Sequence, residues 1–398
     1  MTNNASTETR PAPIAVSFAS SDLRHAARLL RLSWTRHNTT PVIAMVRVVL
    51  DGASSKLSAT DLDSQITVEI DAEIKTAGTF LVHLNSLASM AEMARGRIRI
   101  RQEHQAGEAG KASLNLLIIE DDDTTIRLVD LIEPSDYPAI DAERMRTDSR
   151  FAKGADFEMA QGELLRMLKH CRHCISTEET RYYLNGVYLC RKPEAGTLRA
   201  VATDGHRMCC ADSEVDIAGF PSTGVIVPTR VVRALEAILD SPANEPVRLE
   251  VGECRMIVTA GRVRLTTKTI DGTYPSYEKV IPERSTRLQA HLSRSSIDKL
   301  LRVAGALGHS KMINPAAKLI PSKQRIEISN HEGSDASAPA QVSADPNMAP
   351  VAYNLRYLAQ QARVTPEFTL STGAAGDPAI ILAPNAPDTL WVLMPMRA

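Results

Sequence analysis

With 398 residues, 43% hydrophobic and 23% charged, the chain is too long for one ordinary core and implies two or three domains of roughly 100–200 residues each. Aromatics make up only 4%, so Leu, Ile, Val, Ala and Met must build the cores. No apolar run approaches the ~20 residues that cross a bilayer, and the polar stretch 1–13 lacks the core of a signal peptide, so it reads as a disordered extension of a cytoplasmic protein. The net charge of −1 argues against a nucleic-acid partner only on average, because the charges are sorted along the chain.

Taken in chain order, hydrophobic periodicity predicts an amphipathic helix over 21–34, strand-like alternation over 47–50 and 57–70, and a second helix over 84–94. The pattern restarts with a helix over 161–174, where Leu164, Leu165, Met167 and Leu168 fall at helical spacing. Strands over 187–190 and 198–211 and a helix over 228–239 follow. A third round has a helix over 295–307, a strand over 325–329 and a helix over 354–362. Each opening helix starts near a serine or another polar residue suited to capping. The Ala-, Ser-, Pro- and Asp-rich stretch 329–350 reads as a long loop or a shortened sheet.

Landmarks recur as well. Ala59-Thr60-Asp61 answers Ala202-Thr203-Asp204, and Asp136-Tyr137-Pro138 answers Thr273-Tyr274-Pro275. A repeat of about 125–145 residues is the size of a domain, not of a solenoid unit. The fold class is therefore α+β: three similar domains in series, 14–145, 150–283 and 284–398, each with two helices packed on antiparallel sheets.

The helices are basic although the chain is not. The first carries Arg24, His25, Arg28 and Arg31 against Asp22, with Arg36 and His37 after it. The third predicted helix, over 161–174, carries Arg166, Lys169 and Arg172 against Glu163; Arg230 and Arg233, Lys299 and Arg302, and Arg356 and Arg363 mark the three that follow. Acidic residues gather at 120–123 and at Glu178 and Glu179. Helices facing one way would present a basic surface suited to the phosphate backbone, which attracts Lys and Arg without reading sequence.

Catalytic chemistry finds little support. His170-Cys171-Arg172-His173-Cys174 holds one C-x-x-C pair, and His206, Cys209 and Cys210 follow. Structural zinc needs two such pairs at defined spacing, and adjacent Cys209 and Cys210 should point to opposite faces of a strand. There is no P-loop, G-x-S-x-G elbow or H-E-x-x-H. Asp204 beside Gly205 reads as a turn residue, not as half of an acid–base pair. No catalytic residue, metal site or cofactor is assigned.

Four stretches carry a family resemblance: Thr180-Arg181-Tyr182-Tyr183-Leu184-Asn185-Gly186; Leu198 through Arg207, ending Thr203-Asp204-Gly205-His206-Arg207; Asp271-Gly272-Thr273-Tyr274-Pro275 through Pro282; and the terminal Met394-Pro395-Met396-Arg397. In this order and at these separations the sequence resembles the bacterial DNA polymerase III beta subunit, the beta sliding clamp family. The resemblance implies a non-catalytic processivity factor: clamp-type domains forming half of a ring, closed by a second copy, that encircles duplex DNA without sequence specificity. It implies partners too, namely the polymerase III alpha subunit, the clamp loader and other proteins bearing clamp-binding motifs, and no membrane. Two settings stay open: the main replisome, or a clamp-like paralogue that binds partners outside it.

Residue by residue, the family's peptide pocket falls on Arg181, Leu184, Thr203, Gly205, His206, Arg207, Met208, Pro275, Lys279, Val280, Val392, Met394, Pro395, Met396 and Arg397. Met208 and Lys279 stand where the family commonly has Leu and Arg, and Ala398 ends the chain where a larger aliphatic is usual. DNA contact is expected from Arg24, Arg28, Arg36, His37, Arg166, Lys169 and Arg230. Tyr182 and Tyr183 are either DNA-touching loop residues or half-buried strand residues. The dimer contact would join Ile126 and Leu128 to Ala306 and Leu307 of the other copy.

Overall fold

The computed structural model describes residues 13–33, 40–52, 54–105, 114–129, 132–152, 154–242, 245–304, 315–329, 335–345 and 348–396. The first third contains β1 (Ala15–Ala19), α1 (Ser20–Leu30), β2 (Met45–Asp51), β3 (Ser54–Thr60), β4 (Ser64–Thr76), β5 (Gly78–His83), α2 (Leu84–Met93), β6 (Arg97–Gln105), β7 (Leu114–Glu120) and β8 (Thr125–Val129). Two short helices, α3 (Ala142–Arg146) and α4 (Ser149–Ala152), lead on. Next come β9 (Ala155–Ala160), α5 (Gln161–Arg172), β10 (Gly186–Arg191), β11 (Thr197–Thr203), β12 (Arg207–Asp216), β13 (Val225–Pro228), α6 (Thr229–Leu239), β14 (Pro246–Val251), β15 (Arg255–Ala260) and β16 (Val263–Lys268). The last third holds β17 (Leu288–Ser293), α7 (Arg294–Ala304), β18 (Ala316–Ile320), β19 (Arg325–Ser329), β20 (Asp335–Pro339), β21 (Gln341–Ala344), β22 (Val351–Asn354), α8 (Leu355–Val364), β23 (Glu367–Thr372), β24 (Ala379–Leu382) and β25 (Thr389–Leu393).

A finer repeat than the one expected emerges. Six times, at α1, α2, α5, α6, α7 and α8, a helix begins at the residue after a strand ends. At four of these joins the last strand residue is the N-cap and stays extended, with ψ of 134° at Ala19, 126° at His83, 132° at Ala160 and 114° at Asn354. Side-chain caps are therefore less uniform than the sequence suggests. Ser293 accepts from the Ser296 N–H at the start of α7, and Asn354 accepts from the Arg356 and Tyr357 N–H groups in α8. Alanine occupies the position at α1 and α5, so neither has a side-chain cap. Ser20 instead lies inside α1, its N–H donating to Gly96 O at 2.9 Å.

By compactness the chain divides into two units. The first comprises Met1–Ala152, Arg233–Glu250 and Arg255–Lys268. Its antiparallel strands follow the path β8-β7-β6-β1-β4-β16-β15-β14, with a branch β3-β2-β5 leaving from β4. Helix α1 packs on α2 and buries Leu23, Ala26, Ala27 and Leu30. Each fully buried leucine contributes about 1.5–3 kcal/mol.

The second unit comprises Lys153–Val232, Val251–Cys254 and Thr269–Ala398. One of its sheets runs β13-β10-β11-β12-β25-β24-β23-β17-β21 and another β20-β19-β18-β22. The pairing that matters most joins β12 to β25, placing Arg207 opposite Leu393 and Met208 opposite Val392. Strand β25 thus extends a sheet whose first strand in chain order is β10. Part of 329–350 is sheet, since β20 pairs with β19 and β21 with β17. Pro339 ends the edge strand β20, where a missing N–H costs no ladder bond.

Candidate functional site

The turn between β11 and β12 is the best-defined part of the site. Thr203 Oγ1 donates to Arg207 O at 2.7 Å and accepts from Gly205 N at 3.1 Å. Asp204 Oδ1 accepts from the His206 and Arg207 N–H groups at 2.9 and 3.0 Å. The closure requires a left-handed residue, and Gly205 supplies it with φ +89°. Its twin lies between β3 and β4, bond for bond. Thr60 Oγ1 donates to Ser64 O and accepts from Leu62 N, while Asp61 Oδ1 accepts from the Asp63 and Ser64 N–H groups. There the left-handed position is Leu62, at φ +79°. The recurring Ala-Thr-Asp thus marks a recurring backbone.

Around the turn 203–207 the second unit gathers an apolar floor: Leu184, Cys190, Val201, Met208, Cys210, Ile226, Tyr274, Tyr277 and Val392 pack as one cluster. Tyr188 stacks on Tyr274, with ring centroids 4.4 Å apart and planes within 5°. Buried Tyr274 and Tyr277 anchor the segment that carries exposed Pro275, Lys279 and Val280. The C-terminal residues then run alongside. Met394 N donates to His206 O at 2.9 Å, and Met396 N to Ala352 O at 2.8 Å. Val280 and Met394 remain 55% and 40% exposed, apolar groups left over after the cluster has formed.

Cations frame this floor. Arg181 binds Glu178 through one edge of its guanidinium, Nη2 donating to Oε1 and Nε to Oε2 at 2.7 Å. That hydrogen bond holds the Glu178 carboxyl below its usual range. Arg207 is held three ways, by Asp204 Oδ2 at 3.0 Å, Gln360 Oε1 at 2.5 Å, and the face of Tyr357 at 4.1 Å. Behind it, His173 Nε2 and Gln361 Oε1 are 3.0 Å apart, and only about 10 Å³ of space remains between these groups and Met208 and Val392. Burial, with Arg207 nearby, pushes His173 down to about 3, and burial pushes His170 down to about 4. Both rings are neutral at neutral pH.

Fourteen of the expected pocket residues lie in the second unit, and Arg397 falls outside the described residues. Sequence reasoning missed Tyr357, Gln360 and Gln361 on α8. The only hint was a polar face on a helix otherwise read as basic.

The expected DNA-contact residues divide. Arg28 and Lys169 are exposed. Arg24, by contrast, donates to Ala91 O and Ala94 O, each at 3.0 Å, and so serves the C-terminal end of α2. Arg166 is similarly turned to its own unit, reaching Thr389 Oγ1 at 3.2 Å and Asp212 O at 2.8 Å. Arg230 is half-buried and already engaged. Tyr182 and Tyr183 are not strand residues: both sit in a 3-10 turn over Glu179–Leu184, edge to face at 5.8 Å, with Tyr182 53% exposed. Ile126 and Leu128 lie on β8, at the end of the first unit's strand path. Arg36, His37, Ala306 and Leu307 lie outside the described residues.

Five cysteines, Cys171, Cys174, Cys190, Cys209 and Cys210, are buried in the second unit, and Cys171 Sγ is 3.6 Å from Cys209 Sγ. Among the described residues no three His, Cys, Asp or Glu side chains are grouped so as to hold a metal ion.

Comparison with known proteins agrees with this geometry. Residues 158–276 match the model of the DNA polymerase III beta subunit, central domain. The beta sliding clamp of Caulobacter vibrioides is 28% identical over 377 residues, covering 91% of this chain and 94% of the relative. That of Pseudomonas aeruginosa is 24% identical over 369 residues with the same coverage. Among solved structures, the Caulobacter crescentus beta sliding clamp with PEG bound superposes with a TM-score of 0.82 at 25% identity, covering 98% of this chain and all of that one. The Bartonella birtlesii sliding clamp bound to griselimycin gives 0.81 at 26%, covering 97% and 100%. Residues 158–276 thus match the central domain of the DNA polymerase III beta subunit, and over nearly its whole length the chain is similar in sequence and fold to bacterial beta sliding clamps.

Proposed function

We infer that this protein is a DNA sliding clamp, a non-catalytic processivity factor in which two copies close a ring around duplex DNA and tether the replicative polymerase and other DNA-processing proteins. Three domains over 14–145, 150–283 and 284–398 supply the half-ring. Six strand-to-helix joins in three successive pairs support that division, as do the twin turns. Exposed Arg28 and Lys169 meet phosphates without reading bases. Such contacts are weak and salt-dependent, which permits sliding. Retention comes from closure, and tethering raises the partner's effective concentration at the DNA.

The observation that carries the docking role is the pairing of β25 with β12, which sets the C-terminal Met394, Pro395 and Met396 beside the 203–207 turn. Partner peptides seat apolar side chains on Leu184, Met208, Val280, Val392 and Met394, where methionine adapts to varied shapes. Arg181, His206 and Arg397 meet their carbonyls and carboxylates. Lys279, a point charge in place of a planar fork, favours less directional contact. Ile126 and Leu128 offer an edge strand to Ala306 and Leu307 of the second copy. No helix among the described residues is long and apolar enough to cross a membrane, and we place the protein in the cytoplasm, on the nucleoid.

The test is loading onto nicked circular DNA with a clamp loader, followed by linearisation. A ring runs off the cut ends. Equal retention on circle and line refutes the sliding function.

A further inference from the structure

The first unit contains a cavity of about 550 Å³, within the roughly 300–1,000 Å³ usual for ligand pockets. We propose that it is a second docking site, one that takes an extended peptide carrying an acidic side chain next to a large aliphatic one. It lies beside the turn 61–64, not the turn 203–207, and stands apart from the pocket assigned to the second unit.

Leu62 is the first observation. It holds a left-handed φ of +79° and is 48% exposed, although an L-residue there costs about 1–2 kcal/mol and the twin turn uses glycine. Nothing in the turn's hydrogen bonds needs a side chain at that position, since Thr60 and Asp61 make them all. What the leucine gains is a place on the cavity wall, facing the same space as Ile140 and Met145.

Charge is the second observation. Arg144 and Arg255 line the same cavity, both exposed, and neither has an ion pair or side-chain hydrogen bond among the described residues. The acidic groups there are already occupied. Asp63 is paired with Lys268 at 2.8 Å, Asp141 accepts from the Glu143 and Arg144 N–H groups, and Asp148 is engaged as well. Two uncommitted guanidinium groups above an aliphatic wall suit a carboxylate beside an aliphatic chain. The wall is also pinned: Gln65 donates to Ile140 O at 3.1 Å and accepts from Ile140 N at 2.8 Å. A preformed wall lowers the ordering cost of binding.

The test uses the full chain and a fluorescent hexapeptide of alternating Glu and photo-reactive Leu, with an alternating Lys–Leu peptide as its counterpart. Cross-links are expected at residues 62–63, 139–148, 255 and 267–268. The double variant Arg144→Gln with Arg255→Gln, whose exposed side chains are not needed for folding, is expected to weaken binding about tenfold or more. Leu62→Asn, which tolerates the same backbone, should weaken it less, and the Lys–Leu peptide should fail to bind. Cross-links confined to the 203–208 and 394–396 region would overturn this site while leaving the second unit's pocket standing. Unchanged affinity in the double arginine variant would overturn it too.

Discussion

Gly205→Ala tests the turn on which the docking site is built. At φ +89° an alanine pays about 1–2 kcal/mol in left-handed strain, while glycine's greater loss of backbone freedom on folding returns about 0.5–1 kcal/mol. The net expectation is a loss of about 1 kcal/mol, a fall of about 2–4 °C in Tm for a unit of some 200 residues. A second effect is local. The new Cβ would lie 2.6 Å from Arg181 Nη1, so the guanidinium must swing away from its present place beside Glu178. Thermal unfolding and titration with a polymerase-derived peptide, measured on the same preparation, should therefore both change, with weaker binding and a lower midpoint. Leu62→Gly is the control. There the relief of strain offsets lost burial and added chain freedom, so stability should stay within about 1 kcal/mol of the parent. An alanine variant at 205 with an unchanged midpoint and unchanged affinity would refute the requirement for a left-handed residue.

Deleting 394–398 removes the Met394 and Met396 backbone anchors and should abolish partner-peptide binding while leaving the oligomeric state intact by light scattering; undiminished binding refutes the pocket assignment. Acid should weaken the second unit through His173. Its folded value of about 3 lies below the unfolded value of about 6.5, so the unfolded state binds more protons between the two, and stability is lost as pH falls from 6.5 towards 3. At pH 5 the loss is about 2 kcal/mol; His173→Gln should flatten the midpoint-against-pH curve, and an unaltered slope would count against the buried neutral ring. Arg28→Ala and Lys169→Ala should each reduce the salt slope of DNA binding by about 1. Arg24→Ala should leave that slope alone and lower stability by about 1–3 kcal/mol, through loss of its bonds to Ala91 O and Ala94 O. The reverse pattern in a salt titration would overturn the division between the arginines.

Much of this construction is legible in the residues. The helices fall within a few positions of where periodicity puts them, because Leu23, Leu30, Leu164, Met167 and Leu168 are buried at helical spacing. The Ala-Thr-Asp recurrence foretells twin turns because threonine and aspartate side chains both bond locally. Other features depend on distance in the chain. One partner of Arg207 is Gln360, 153 residues away, and no local pattern announces it. Arg24 reads as a surface charge, yet its neighbours are carbonyls of another helix, which carry no signal in a side-chain sequence. The strand-to-helix joins were hidden for a simpler reason: Ala19 and Ala160 mark neither a strand end nor a cap.

Those joins leave no slack. Inserting one residue ahead of any of the six helices would turn it by about 100° about its axis, or else reverse the facing of the strand before it. Either outcome exposes a buried stripe. Length variation in this protein is therefore expected at the far ends of these elements, in the connections after the helices and between hairpin strands, while the strand-to-helix steps keep their spacing.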